Sequence, residues 1–267
     1  YFILTHPHAD HIGGAANVVN NIDIDKILMP KATHTSKTFE DLLNIIKSKG
    51  LKITSPAPGD NYALGSANFK ILASNDGNTL NNNSIVNRLV FENTSFMFAG
   101  DAESATESLV LQRGYSIKSD VLKVGHHGSG TSTTESFLKA VSPKHAVISV
   151  GKGNSYGHPD QATLNKLSAG SVEIFRTDES GTIIATSDGN TISFNKNPSQ
   201  GTAGMKKTDE TVKKEESSEL RYIGNKNSKI FHKSTCSSLP IEKNRIYFES
   251  IEEAKNKGYR PCKRCNP

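Results

Sequence analysis

The stretch THPHADHIGG, residues 5–14, places His6, His8, Asp10 and His11 within six positions, directly after the apolar run YFIL. Imidazoles gathered this closely repel one another whenever they protonate, so something has to hold them together. A chain that leaves a strand and turns at Gly13-Gly14 can aim His6 and His8 one way, and Asp10 and His11 toward an adjacent position. Imidazole and carboxylate suit zinc, manganese or iron, and alternation along one short segment serves two ions. One segment cannot complete two coordination shells. The chain must supply a bridging carboxylate and further imidazoles elsewhere, and it does so at the ends of two other apolar runs: Asp101 closes FMFAGD, and His126 and His127 close LKVGHHGS. A polar loop, a surface histidine pair and a Gly-Asp turn would be the bland readings of the three taken singly. Their joint placement at strand ends favours a metal centre.

Around these motifs, residues 1–195 read as one α/β body. The segments NFKILAS, SIVNRLVFEN, SFMFAGD, SDVLKVGHHGS, KHAVISVG, SVEIFRT, GTIIATSDG and NTISFN predict strands. TSKTFEDLLNIIKSKG predicts a helix with Phe39, Leu42, Leu43 and Ile46 on one face, Ser36 as cap and Gly50 as stop. TTESFLKAV and HPDQATLNKLSAG predict two more, the latter with Pro159 in its first turn and Gly170 at its end. Helices recurring between strands argue for sheets covered by helices rather than a pure sandwich of sheets.

Residues 196–220 have almost no apolar anchors and predict a flexible, disordered linker. Residues 221–267 form a second unit, too small for a self-sufficient core and so in need of a staple. All three cysteines lie there. With His232 they give the spacing H-x3-C, a gap of 25 residues, then C-x2-C, through Cys236, Cys262 and Cys265. Two pairs of such ligands fit a closed tetrahedral zinc site, and a redox pair of Cys262 and Cys265 would leave the unit unsupported. The helix in SIEEAKNKG is expected to start at Ser250 and to end at Gly258. Charge is lopsided: residues 1–200 carry a net −1 and residues 221–267 a net +7. A basic appendage suits a polyanionic partner. Arg260, Lys263 and Arg264 flank the cysteines, while Tyr222, Phe231, Tyr247 and Tyr259 offer either stacking faces or a mini-core around the zinc. No apolar run approaches the ~20 residues that span a bilayer.

THPHADHIGG, FMFAGD and LKVGHHGSGTS together resemble the metallo-β-lactamase fold hydrolases, and more closely the soluble domain of ComEC-type competence proteins. The resemblance covers roughly residues 1–195 and implies an αββα sandwich. It assigns His6 and His8 to a first divalent metal, Asp10 and His11 to a second, and Asp101 to the bridge. One histidine of the 126–127 pair, with His127 preferred, completes the second site, and the other faces substrate. Many members add a third histidine to the first metal. Here SNDGNTLNNNSIVNRL contains none, and Asn83 and Ser84 are expected to line the site instead. Members also carry an N-terminal strand pair before the metal motif, so we expect further sequence ahead of Tyr1. The second unit, YIGNKNSKIFHKSTC with GYRPCKRC, looks like the small zinc-binding α+β module named after the Ada DNA-repair protein, a DNA-contacting element in that family.

These readings lead us to expect two zinc or manganese ions in the first domain and one structural zinc in the second. They imply water as the nucleophile, Asp10 orienting it, and His126 or His158 serving the leaving oxygen, with Ser129 a further phosphate contact. The expected function is a phosphodiester-cleaving hydrolase, a DNA nuclease related to competence and DNA uptake, acting outside or at the surface of a bacterial cell, with the cytoplasm as the alternative location. A small-molecule phosphodiesterase or lactone hydrolase of the same fold is one alternative, and a non-catalytic nucleic-acid-binding scaffold is another.

Overall fold

The computed structural model describes residues 1–199 and, further along, 222–233, 236, 238–248 and 251–265. The chain divides into two compact units, Tyr1–Lys206 and Lys207–Pro267. Most of the segment expected to be a linker, from residue 200 onward, lies outside the described residues, as does the expected cap Ser250.

In the first unit, β1 (Phe2–Ile3), β2 (Ile27–Leu28) and β3 (Ile53–Thr54) form a parallel sheet in that order. A second sheet has seven strands: β4 (Asn61–Leu64), β5 (Ala67–Ala73), β6 (Val86–Phe91), β7 (Thr94–Phe98), β8 (Val121–Lys123), β9 (His145–Ile148) and β10 (Glu173–Arg176). Strands β4 to β7 make an antiparallel meander, and β7 to β10 run parallel. Parallel neighbours need crossovers, and the helices Ser104–Gln112, Glu135–Val141 and Gln161–Ala169 supply them. They bury Val110, Phe137, Leu138, Leu164 and Leu167 against Leu72, Met97, Leu122, Ala146 and Ile174 of the sheet. Helices Ala15–Asn21 and Lys37–Ser48 cover the small sheet through Val19, Phe39, Leu42 and Ile46. Leu28 of β2 meets Phe69 and Ile71 of β5 between the sheets. The layers are therefore helix, sheet, sheet, helix, an αββα sandwich. A hairpin of β11 (Ala185–Ser187) and β12 (Ile192–Phe194) follows.

Local chemistry fixes the helix starts. Ser36 Oγ accepts the Phe39 N–H, Thr134 Oγ1 accepts the Phe137 N–H, and Asp160 Oδ1 accepts the Ala162 N–H. Pro159 thus precedes the cap instead of occupying the first turn as expected. The helix Ser104–Gln112 was not legible, because its buried residues include Thr106 and Glu107 beside Val110, which blurs the apolar stripe.

The second unit is a four-stranded sheet in the order β15-β13-β14-β16, built from β13 (Tyr222–Asn225), β14 (Ile230–Lys233), β15 (Arg245–Phe248) and β16 (Arg260–Pro261). The helix Ile251–Asn256 accompanies it. Phe231, Phe248, Ala254 and Tyr259 form its core. Phe231 and Tyr259 are therefore packing residues and not free stacking faces; the Tyr247 side chain lies outside the described set.

Candidate metal centres

Three strand ends meet at one rim of the first unit. The chain leaves β1 into His6, β7 into Asp101 and β8 into His126 and His127. Backbone bonds join them: Ile85 N–H donates to Thr5 carbonyl and His126 N–H to Gly100 carbonyl. The approach is close enough to demand a glycine. Gly100 has φ +55°, and a Cβ there would come within 2.9 Å of Ser84 Cβ and 3.2 Å of Thr5 Cβ. His126 and His127 are themselves held at φ 48° and 54°, the left-handed region that a non-glycine residue adopts at a cost. Strain at two successive histidines marks a segment whose side chains are aimed.

The rim converges on Asp101. Its Oδ2 lies 3.1 Å from His11 Nε2, 3.5 Å from His127 Nε2, 3.6 Å from His6 Nε2 and 3.9 Å from His126 Nε2. His127 Nε2 also stands 3.1 Å from His11 Nε2 and 3.2 Å from Asp10 Oδ2. Two overlapping sets of ligand atoms result, His6 with His11 and Asp101, and Asp10 with His11 and His127, each set lying within 4.8 Å. His8 stands next to the first, its Nδ1 3.0 Å from His6 Nε2. One proton on His11 Nε2 cannot serve Asp101, His127 and Asp10 together. A divalent cation among these lone pairs relieves what protons cannot, so the donor set fits metal.

Electrostatics agree. Burial pushes the His6 imidazole down to about 3, with the His11 ring adding to the effect, so His6 is neutral and able to ligate. Burial would push the Asp101 carboxyl up, yet hydrogen bonds from His11 and His127 outweigh it and hold the acid well below its ordinary range. The hydrogen bond to Asp101 raises His127 in turn. The outer contacts orient these groups: His127 Nδ1 donates to Ser149 carbonyl at 2.8 Å, and Ser84 Oγ accepts the Asp101 N–H at 3.1 Å while touching His6 Nδ1 at 3.3 Å.

His126 turns away from the two sets. Its Nδ1 lies 3.2 Å from Thr131 Oγ1 and 3.6 Å from Glu103, and its Nε2 faces Asn81 Nδ2 at 3.4 Å. The His158 ring sits 5.7 Å from it, and burial, then His126, lowers the His158 pKa. His8, Asp10, Asn81, Asp101, His126, His127, Tyr156 and His158 line one open cavity of about 370 Å³. Of the two residues expected from the asparagine-rich segment, Ser84 supports the ligands, whereas Asn83 accepts the Gly77 N–H and is not among the lining residues. Asn81 takes that place, and Asn82 braces Glu103 with a bond of 2.9 Å. The triplet of asparagines left the register open. Ser129 is buried, its Oγ 3.1 Å from Thr131 Oγ1, and does not line the cavity.

In the second unit, the ligand atoms of His232, Cys236, Cys262 and Cys265 all lie within 4.8 Å of one another. No disulfide links the cysteines. Backbone N–H groups of Lys233 and Arg264 reach Cys265 Sγ and Cys262 Sγ, each at 3.4 Å, as suits thiolate sulfur. Burial lowers His232, keeping a neutral ring beside them. This donor set fits a closed tetrahedral zinc.

Similarity to known proteins follows the same division. The chain is 37% identical over 183 residues, 68% of its length, to ComE operon protein 3 of Bacillus subtilis. It is 42% identical over 104 residues, 39% of its length, to competence protein ComA of Neisseria gonorrhoeae, and 28% identical over 167 residues, 62% of its length, to recombination protein 2 of Haemophilus influenzae. It spans 24%, 15% and 19% of the length of these three relatives. Residues 210–267 match the metal binding domain of Ada. Residues 1–152 match the metallo-beta-lactamase superfamily, and with more than half of its length inside that match the chain belongs to this superfamily.

Proposed function

We propose that the protein is a metal-dependent phosphodiesterase that cleaves DNA, with its zinc module holding the polymer near the catalytic unit. The observation that carries this reading is the pair of overlapping ligand sets, of which Asp10, Asp101 and His127 line a cavity together with His126 and His158, two histidines outside both sets. His6 and His8 with Asp101 would hold one divalent ion, and Asp10, His11 and His127 with Asp101 the other, because a single imidazole nitrogen can serve only one cation. Such a pair supplies water acidified to near neutrality and charge to offset a phosphoryl oxygen. The residues do the rest. Asp10, 63% exposed at its side chain, takes and orients the proton of the attacking water. His126, held by Thr131 and Glu103 with Nε2 toward the cavity, hands a proton to the leaving oxygen. His158, whose ring lies 5.7 Å from that of His126 in the same cavity, is the second candidate to serve the leaving oxygen.

DNA as the substrate is supported by the net +7 of residues 221–267 and by exposed Arg260, Lys263 and Arg264 around the cysteine pair. The names of two relatives, a competence protein and a recombination protein, point to DNA as well. A tethered weak binder raises local substrate concentration without touching the chemistry. The test is cleavage of labelled single- and double-stranded DNA with zinc or manganese, beside a small diester such as bis(p-nitrophenyl) phosphate. DNA cleavage that falls steeply with salt supports the reading. Turnover of the small diester alone, indifferent to salt, replaces DNA with a small phosphodiester.

A further inference from the structure

One aromatic ring at this cavity stands where packing gives it no reason to stand. Tyr156 is 83% exposed, yet it lines the same cavity as Asp10, Asp101 and His126. Its ring lies nearly parallel to that of His158, 17° between planes and 6.0 Å between centroids, and His158 in turn borders His126. The loop that presents it is clasped. Asn154 Nδ2 donates to Gly151 carbonyl and to His158 carbonyl, at 3.0 and 2.6 Å, and Asn154 Oδ1 accepts the His158 N–H at 3.1 Å. Tyr156 sits inside this closed turn with its side chain outward, so its exposure is built in.

A second observation concerns what surrounds the ring. Asp10, Asp101 and His127, members of the two ligand sets, line the same cavity as Tyr156. An open, flat π face beside groups suited to divalent cations describes a site for a nucleotide unit, its base on the ring and its phosphate toward the cations.

We propose that Tyr156, backed by His158, is a stacking platform for a nucleobase flanking the scissile phosphate. The inference rests on the phosphodiesterase reading and narrows it. A base can lie on a protein ring only when it has left its own stack, so the preferred substrate is single-stranded DNA or a frayed end. Stacking tolerates every base, and cleavage is accordingly indifferent to sequence.

The chain contains no tryptophan, so Tyr156→Trp places a single fluorescent reporter on the platform. The metal-loaded full chain is titrated with deoxyadenosine monophosphate and with deoxyribose 5-phosphate, which keeps the phosphate and lacks the base. We expect the first to quench the introduced indole saturably and the second to leave its emission unchanged. Calorimetry on the unaltered protein is expected to give on the order of tenfold tighter binding for the first ligand, a preference that Tyr156→Ala removes. Equal binding of both ligands, or binding of the nucleotide without quenching, overturns the platform and leaves the phosphodiesterase reading standing. Binding of neither overturns both.

Discussion

His11 and Asp101 stand 90 positions apart in the sequence and meet at 3.1 Å, Nε2 to Oδ2. The contact joins the segment after β1 to the segment after β7, and it depends on Gly100 and Ser84 letting the two backbones close. The candidate centre is thus a property of the folded sandwich and not of the histidine motif alone.

Ser84 is the place to test that dependence without removing a ligand. Ser84→Ala leaves the Asp101 N–H without its acceptor and frees the His6 ring from one contact. Metal affinity of the first unit is expected to fall about tenfold. Competition with a chromophoric chelator measures it, and unchanged affinity contradicts the orienting role.

Glu107 clamps the segment that follows the histidine pair. Its carboxylate, 1% exposed, accepts the N–H groups of Thr133 and Thr134. Glu107→Ala strands two buried donors and is expected to cost about 2 kcal/mol in urea unfolding.

The same residue gives a pH signature. Burial pushes the Glu107 carboxyl above its unfolded value of 4.5, although the Thr134 and Thr133 contacts pull it down. With the folded pKa raised, its contribution to stability is fully present below about 4.5 and is lost as pH rises through the folded pKa. Glu107→Gln does not titrate. The Tm difference between variant and unaltered protein should therefore move in the variant's favour from about pH 4 to 7. A difference that stays flat contradicts the assignment.

The strands carrying His6, Asp101, His126 and His127 were legible because each is an apolar run ended by a charged or imidazole group. The cysteine module was legible from spacing. What the sequence hid has physical reasons. Strands β2 and β3 are two residues long and show no period. Helix Ser104–Gln112 turns Thr106 and Glu107 inward because it serves as the clamp just described. In Asn81-Asn82-Asn83 the side chains are identical, and only the short helical turn there decides that Asn81 lines the cavity, Asn82 braces Glu103 and Asn83 holds Gly77.

Removing one thiolate should dismantle the second unit alone. Cys262→Ser is expected to release its zinc and abolish protection of residues 222–265 in hydrogen exchange, leaving the first unit protected. Retained zinc with an ordered module contradicts the four-ligand site.

Charge reversal in the same unit tests the polymer. Arg260→Glu with Arg264→Glu should weaken DNA binding and lower the slope of log affinity against log salt by roughly one for each phosphate that is no longer neutralised. Fluorescence anisotropy across a salt series reads both quantities. An unaltered slope removes the module from the DNA path.

The most direct measurement is the metal content of the full chain by mass spectrometry, beside Asp101→Ala, with DNA cleavage followed on the same samples. The account predicts about three ions per chain, two with the first unit and one with the zinc module. It predicts a fall toward one ion in the variant, together with loss of cleavage. One ion per chain in both proteins, or cleavage that survives in the variant, contradicts a catalytic metal centre at Asp101.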